Sequence, residues 1–154
     1  MFQVTRRVDY AIRIMIELAQ LEPGDNLSAR ELSKKTAVPK AFLHKINSDL
    51  LKASLTRTYA GAHGGVALAK SAKDISVLQV VEAVEGTFCI NSCLIHPQEC
   101  PRDMICPGHA VWGRVQNMLV QELSSISFDE LANSAQILKE NPQRPAHIVY
   151  VSEK

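Results

Sequence analysis

Residues 28–51 read SARELSKKTAVPKAFLHKINSDLL. Ser28 followed three residues later by Glu31 is a capping box, in which hydroxyl and carboxylate satisfy amides that a helix start leaves without partners. The helix it opens runs to about Thr36. A turn follows at residues 37–39. A second helix then runs from about Lys40 through Leu51, with Phe42, Leu43, Ile46, Leu50 and Leu51 expected to face inward. Two short helices joined by a tight turn make a helix-turn-helix. In that motif the first turns of the second helix enter the major groove of DNA. Lys40, Ala41, His44 and Lys45 occupy those turns, and Ser28 stands at the head of the first helix; all are candidate DNA contacts.

On the C-terminal side, residues 54–70 read SLTRTYAGAHGGVALAK. Residues 55–59 alternate as a strand does, residues 66–69 form a second short strand, and Gly61, Gly64 and Gly65 supply a permissive turn between them. A hairpin directly after a helix-turn-helix is a wing. Arg57, His63 and Lys70 could reach DNA from it. Each alone reads equally well as a solvated polar group, but the order of elements is hard to obtain by chance. On the N-terminal side, TRRVDYAIRIMIELAQL at residues 5–21 has Val8, Ala11, Ile12, Met15 and Ala19 at helical spacing, which predicts a long first helix ended by Pro23 and Gly24.

Charge follows the same division. Residues 1–70 hold eleven Lys/Arg against six Asp/Glu, a net of +5, and residues 71–154 hold six against ten, a net of −4. A basic first half suits a polyanionic partner. Apolar residues make up 46% of the 154, so a packed interior needs no disulfides. No apolar run approaches the ~20 residues of a membrane span, and the N-terminus reads as no targeting signal. A cytoplasmic protein with reduced thiols is expected.

The second half contains another capping box, Ser76 to Gln79, which opens a helix that stops at Gly86. Residues 89–109 then read CINSCLIHPQECPRDMICPGH and hold all four cysteines of the chain. Clustered thiols in a reducing compartment point to metal binding. The spacings lack the short paired knuckles usual for structural zinc. The residues alone leave a cluster, zinc and redox-active thiols open. From Pro107 a helix runs to about Leu123 with an apolar stripe of Val111, Trp112, Val115, Met118, Leu119 and Leu123, a candidate dimerisation element. Ser127 to Glu130 reads as a third capping box, opening a last helix to about Leu138. Residues 139–154 read as a tail in which HIVYV could form an edge strand. No phosphate loop, nucleophile elbow or paired carboxylates suggest an enzyme.

Residues 5–123 resemble the IscR/NsrR-type family of winged-helix transcription regulators that carry iron–sulfur clusters. The resemblance rests on TRRVDYAIRIMIELA, the wing GAHGGVALAK, ISVLQVVEAVEG, and C-x6-C-x5-C followed by HAVW. It implies a mainly α fold with a small β-hairpin wing, namely a winged helix-turn-helix lobe plus a long dimerisation helix. The expected division is 1–86 for the DNA-binding lobe, 87–108 for the cluster-binding loop, 109–138 for the dimerisation helix and its successor, and 139–154 for the tail. It implies a homodimer on a near-palindromic operator in double-stranded DNA, and a repressor switched by a cluster that senses iron, redox state or nitric oxide. The ligands implied are Cys93, Cys100 and Cys106. The fourth is His109 in IscR-like members with a 2Fe–2S cluster, the form preferred here, or Asp9 in NsrR-like members with a 4Fe–4S cluster. Cys89 lies outside the pattern and is a lesser candidate. The alternative is a regulator of the same fold that senses directly through its thiols or holds zinc. On the DNA side the chain departs from the family at Pro39, Ala41, His44 and Ala60, so an operator unlike the family's best-known ones is expected.

Overall fold

The computed structural model describes residues 3–61 and 64–142. Its centre is α1 (Arg6–Ala19), capped by the Thr5 hydroxyl, which accepts from the Val8 amide at 3.2 Å. Val8, Ala11, Ile14, Met15 and Leu18 recur three or four residues apart and are all buried. This single stripe meets α2 (Ala29–Thr36), α3 (Lys40–Lys52), α4 (Val77–Glu85) and α6 (Phe128–Glu140).

The helix-turn-helix forms as its sequence predicts. Ser28 and Glu31 make the full capping box, and the Ser28 hydroxyl and amide hold the Glu31 carboxyl below its usual range. Between α2 and α3 the chain reverses through Ala37, which adopts the left-handed conformation at φ 57°. The turn is locked by Ser33, whose hydroxyl donates to the Val38 carbonyl at 2.8 Å, and by the burial of Val38. On α3, Leu43, Ile46 and Leu50 face the core. Phe42 and Leu51 do not face inward as expected: they are 42% and 45% exposed. Each lies one residue from an inward position, about 100° around the helix, and Phe42 instead meets Tyr10 of α1 edge-on, ring centroids 5.4 Å apart.

The wing is an antiparallel pair, β1 (Thr56–Tyr59) and β2 (Gly65–Leu68), with Thr56 opposite Leu68 and Tyr59 opposite Gly65. It is tied to the chain before α2 by two backbone bonds between Leu27 and Val66, at 2.8 and 3.0 Å. Gly65 is required there, because a Cβ would lie 2.6 Å from the Leu27 carbonyl. His63, HIVYV and most of the proposed tail lie outside the described residues.

Ser76 and Gln79 form the second capping box, and α4 ends at Gly86 with φ 85°. Then follow three one-turn 3-10 segments (Ser92–Leu94, Pro97–Glu99 and Asp103–Ile105) and α5 (Pro107–Ser125). At α6, Ser127 accepts from the Glu130 amide, so the expected third box forms only its hydroxyl half. Phe128 is fully buried and its amide donates to the Ile75 carbonyl at 3.0 Å, which docks α6 beside α4.

Phe128→Ala should therefore lower unfolding stability by about 3–5 kcal/mol, read as a drop in midpoint in chemical denaturation followed by circular dichroism. A loss below about 1 kcal/mol would show that α6 is not part of the cooperative core.

Candidate functional site

Two regions carry the chemistry. The first is the outer face of α3 and the wing. Lys40, Ala41, His44 and Lys45 are all exposed on consecutive turns of α3, as a groove-reading helix requires. Beside them Arg7, Ala41, Phe42, Lys45 and Ile46 line a shallow pocket of about 210 Å³. Arg57 is exposed on β1 with its guanidinium 5.3 Å above the Tyr59 ring, so it is presented by a neighbour rather than free to sweep. The Ser28 hydroxyl is occupied by Glu31 at 2.6 Å. Ser28 lines an open polar cleft of about 720 Å³ together with Arg30 and Lys34. The sequence reading missed Phe42 and Tyr10 as surface groups on this side, because periodicity alone assigned Phe42 to the core.

The second region is the cysteine segment. From residue 85 through residue 127 no residue is buried, α5 included. Such a length of chain cannot offset its ordering entropy from its own contacts; it needs something beyond them. Local bonds shape it. Cys100 accepts from Asp103, Asp103 from Cys106, and Cys106 from His109, in backbone bonds of 3.1, 3.4 and 3.2 Å, each spanning three residues. These successive one-turn bends fold the segment back on itself. The Cys93 thiol is accordingly pushed up, first by burial and then by the charges of Cys100, Asp103 and Cys106. Cys100, Asp103 and Cys106 are therefore near enough to Cys93 for their charges to be felt there.

His109 joins them through Asp103, its Nδ1 lying 2.5 Å from Asp103 Oδ1. Both atoms are shielded from solvent, yet neither has a hydrogen-bond partner of good geometry. The short contact and the missing alignment describe one pair: close, and not finally oriented. Cys89 is turned elsewhere, its Sγ 2.8 Å from the Asn91 carbonyl. Asp9 is held by Arg13 four residues on, at 2.7 Å, on the exposed side of α1. All four thiols are free. Among the described residues no three thiol, imidazole or carboxylate groups converge on the space of one metal ion. Several thiolates around a wider centre are what an iron–sulfur cluster needs. Cys93, Cys100, Cys106 and His109 are donors of the type that such clusters take.

Two further residues have roles that the sequence did not signal. Gln116 of α5 accepts from the Ile90 amide at 3.0 Å and donates to the Phe88 carbonyl at 2.7 Å, clamping the start of the segment to α5. Its partners are backbone groups, which leave no mark in side-chain patterns. Arg7 bonds Asp49 of α3 at 2.7 Å and lies 3.8 Å from Glu85 at the end of α4, where Thr5 also donates at 3.0 Å. One guanidinium therefore joins the root of the cysteine segment to the groove-reading helix.

The apolar stripe of α5 stands open. Val111, Trp112, Val115, Met118 and Leu119 are between 36% and 68% exposed. Among the described residues no helix is long and apolar enough to cross a membrane.

Comparison with known proteins agrees with this geometry. The profile of the Rrf2 family, described as an iron-dependent transcriptional regulator, matches residues 4–134. The HTH-type transcriptional regulator IscR of Photorhabdus laumondii is 27% identical over 136 residues, covering 88% of this chain and 82% of the relative. The structure of T. potens IscR superposes with a TM-score of 0.72 at 21% identity, over 94% of each chain. CymR (YrzC), the global cysteine regulator of B. subtilis, gives 0.67 at 20% identity, covering 87% of this chain and 98% of that one. At those identities the two structures establish a shared fold.

Removing the clamp tests whether the segment is held at its root. The two Gln116 bonds contribute about 1 kcal/mol each, so Gln116→Ala should open residues 87–106 roughly thirtyfold more often. Limited proteolysis should cleave there correspondingly faster, with the thermal midpoint of the core little changed. Unaltered cleavage would show that the clamp is not what holds the segment.

Proposed function

Because the chain belongs to the Rrf2 family of transcriptional regulators, we propose that it is a homodimeric repressor whose operator affinity is set by an iron–sulfur cluster held in residues 93–109. As a member of that family it is a transcription regulator and not an enzyme. What supports the finer reading is the run of backbone bonds that links Cys100, Asp103, Cys106 and His109, on a segment that its own contacts do not bury.

When bound, the cluster supplies a redox- and nitric-oxide-reactive centre whose presence depends on iron. The protein supplies everything else. Cys93, Cys100 and Cys106 would hold it, with His109 completing the set in a 2Fe–2S form. His109 is favoured because it lies in the first turn of α5, three residues from Cys106, and contacts Asp103 of the same segment. Asp9 is the alternative fourth ligand, for a 4Fe–4S form, but would have to leave Arg13 and reach across the dimer. Tying the thiols to one centre fixes the separation of Gly86, where α4 ends, from Pro107, where α5 begins. Glu85 sits at that root, and the contacts from Glu85 to Arg7 and from Arg7 to Asp49 carry its position to α3. Release of the thiols would relax the root and respace the two groove-reading helices. This is coupling between two sites through one physical linkage.

The open stripe on α5 is the natural face for the second copy. Two copies would set α3 helices about one DNA turn apart, ~34 Å, on a near-palindromic site. Lys40, His44, Lys45 and Arg57 would supply the contacts, many to phosphate. A regulator of the same fold acting through free thiols or zinc is the alternative, and the four unpaired cysteines favour its thiol form.

Iron and sulfide assays on anaerobically purified protein, followed by operator binding with and without the cluster, test this reading. Brown protein whose affinity for a selected operator changes tenfold or more on cluster removal is expected; equal affinity in both forms would sink the switch. Colourless protein that resists reconstitution would favour the thiol reading. Affinity should fall steeply with salt, and Lys45→Ala should reduce the log–log salt slope by roughly one. For the dimer, Met118→Lys should convert the protein to a monomer in analytical ultracentrifugation and weaken operator binding with it. A Met118→Lys dimer as tight as the parent would place the interface elsewhere.

A further inference from the structure

We infer that Asp103 is the positioning residue for His109, fixing its proton on Nδ1 so that Nε2 is the nitrogen presented to iron. The inference deepens the reading of His109 as a ligand and rests on it. Asp103 belongs to the last one-turn segment before α5, and His109 to the first turn of that helix. Backbone bonds from Cys106 to Asp103 and from His109 to Cys106 hold the two residues two bends apart on the same part of the chain. Their side chains meet at 2.5 Å, Nδ1 against Oδ1.

At that distance the proton assignment is not free. A carboxylate offers only lone pairs, and a neutral imidazole carries a proton on one nitrogen and a lone pair on the other. If Nδ1 were bare, two lone pairs would face each other at 2.5 Å, sealed from water that could screen them. Their repulsion would drive the pair apart. With the proton on Nδ1 the same pair becomes a charge-assisted hydrogen bond once the two groups align. Neither atom has another partner, so nothing competes for that proton. The Nε2 lone pair is then left for a metal, and the carboxylate fixes the ring's orientation, as outer partners of metal-bound imidazoles do.

The test has one arm without iron and one with it. In metal-free protein in alkaline buffer, nitrogen NMR of histidine, assigned by the His109→Ala spectrum, should show His109 with its proton on Nδ1. Asp103→Ala should shift it to the Nε2-protonated form commoner in water. Asp103→Asn, whose amide oxygen can still accept, should restore Nδ1. In reconstituted protein, Asp103→Ala should lose iron to a chelator with roughly 10- to 100-fold lower affinity than the parent, with Asp103→Asn intermediate. An Nε2-protonated His109 in the parent, or an Asp103→Ala tautomer identical to it, overturns the inference. If His109→Ala alters the cluster's spectrum while Asp103→Ala changes neither tautomer nor iron retention, the inference alone falls. If His109→Ala leaves that spectrum untouched, the ligand reading falls and takes the positioning role with it.

Discussion

The burial of one face of α1 is what the rest of the molecule depends on. Val8, Ile14, Met15 and Leu18 are each at most 7% exposed. At roughly 1.5–3 kcal/mol for each fully buried side chain, they contribute on the order of 10 kcal/mol. That equals the whole net stability of a typical domain. Four other helices use this stripe as their floor. Its edge carries the polar linkage: Arg7 leaves α1 between α3 and α4, and Asp49 and Glu85 meet it there. The same helix thus supplies both the cohesion of the lobe and the path by which one side of it can feel the other.

The cysteine segment obeys a different economy. It contributes no buried residue, and neither does α5. Its order comes from one-turn backbone bends and from the Gln116 clamp at its start. Segments held in this way lie at the low-stability end of a protein and respond readily to ligands. That suits a sensing element. Binding energy spent there is not needed to hold the core together, so gain or loss of a ligand can reshape residues 87–107 while the lobe beneath stays folded. The exposed apolar stripe on α5 lies next to this segment in the chain, on the helix that follows it.

On the DNA side the balance is between a fixed scaffold and adjustable contacts. Leu43, Ile46 and Leu50 anchor α3, and the wing is pinned to Leu27. The reading surface is then set by exposed side chains. Alanine at position 41 and proline at position 39 offer few direct hydrogen bonds to bases. Lysines and Arg57 offer charge. A protein with such a surface draws affinity from phosphates, and the edge-on pair of Phe42 and Tyr10 stiffens the helix that carries it.

The sequence by itself determined the element order and most element ends, because caps, glycines and apolar periodicity act over a few residues. Ser28 with Glu31, Ser76 with Gln79, and Gly86 are local signals, and the structure honours them. The clustering of all four thiols within residues 89–106 is likewise visible in the sequence. Tertiary structure decided the rest. Phe42 turned outward because Tyr10 of another helix receives it, and Leu51 because the inward arc of α3 was already taken. The pairing of Arg7 with Asp49 joins residues 42 positions apart, and Gln116 reaches back 28 to a carbonyl; no periodicity announces such bonds. The meeting of Asp103 with His109 depends on how two successive bends close. Those outcomes follow from the packing of whole elements, which fixes distances that neighbouring residues cannot.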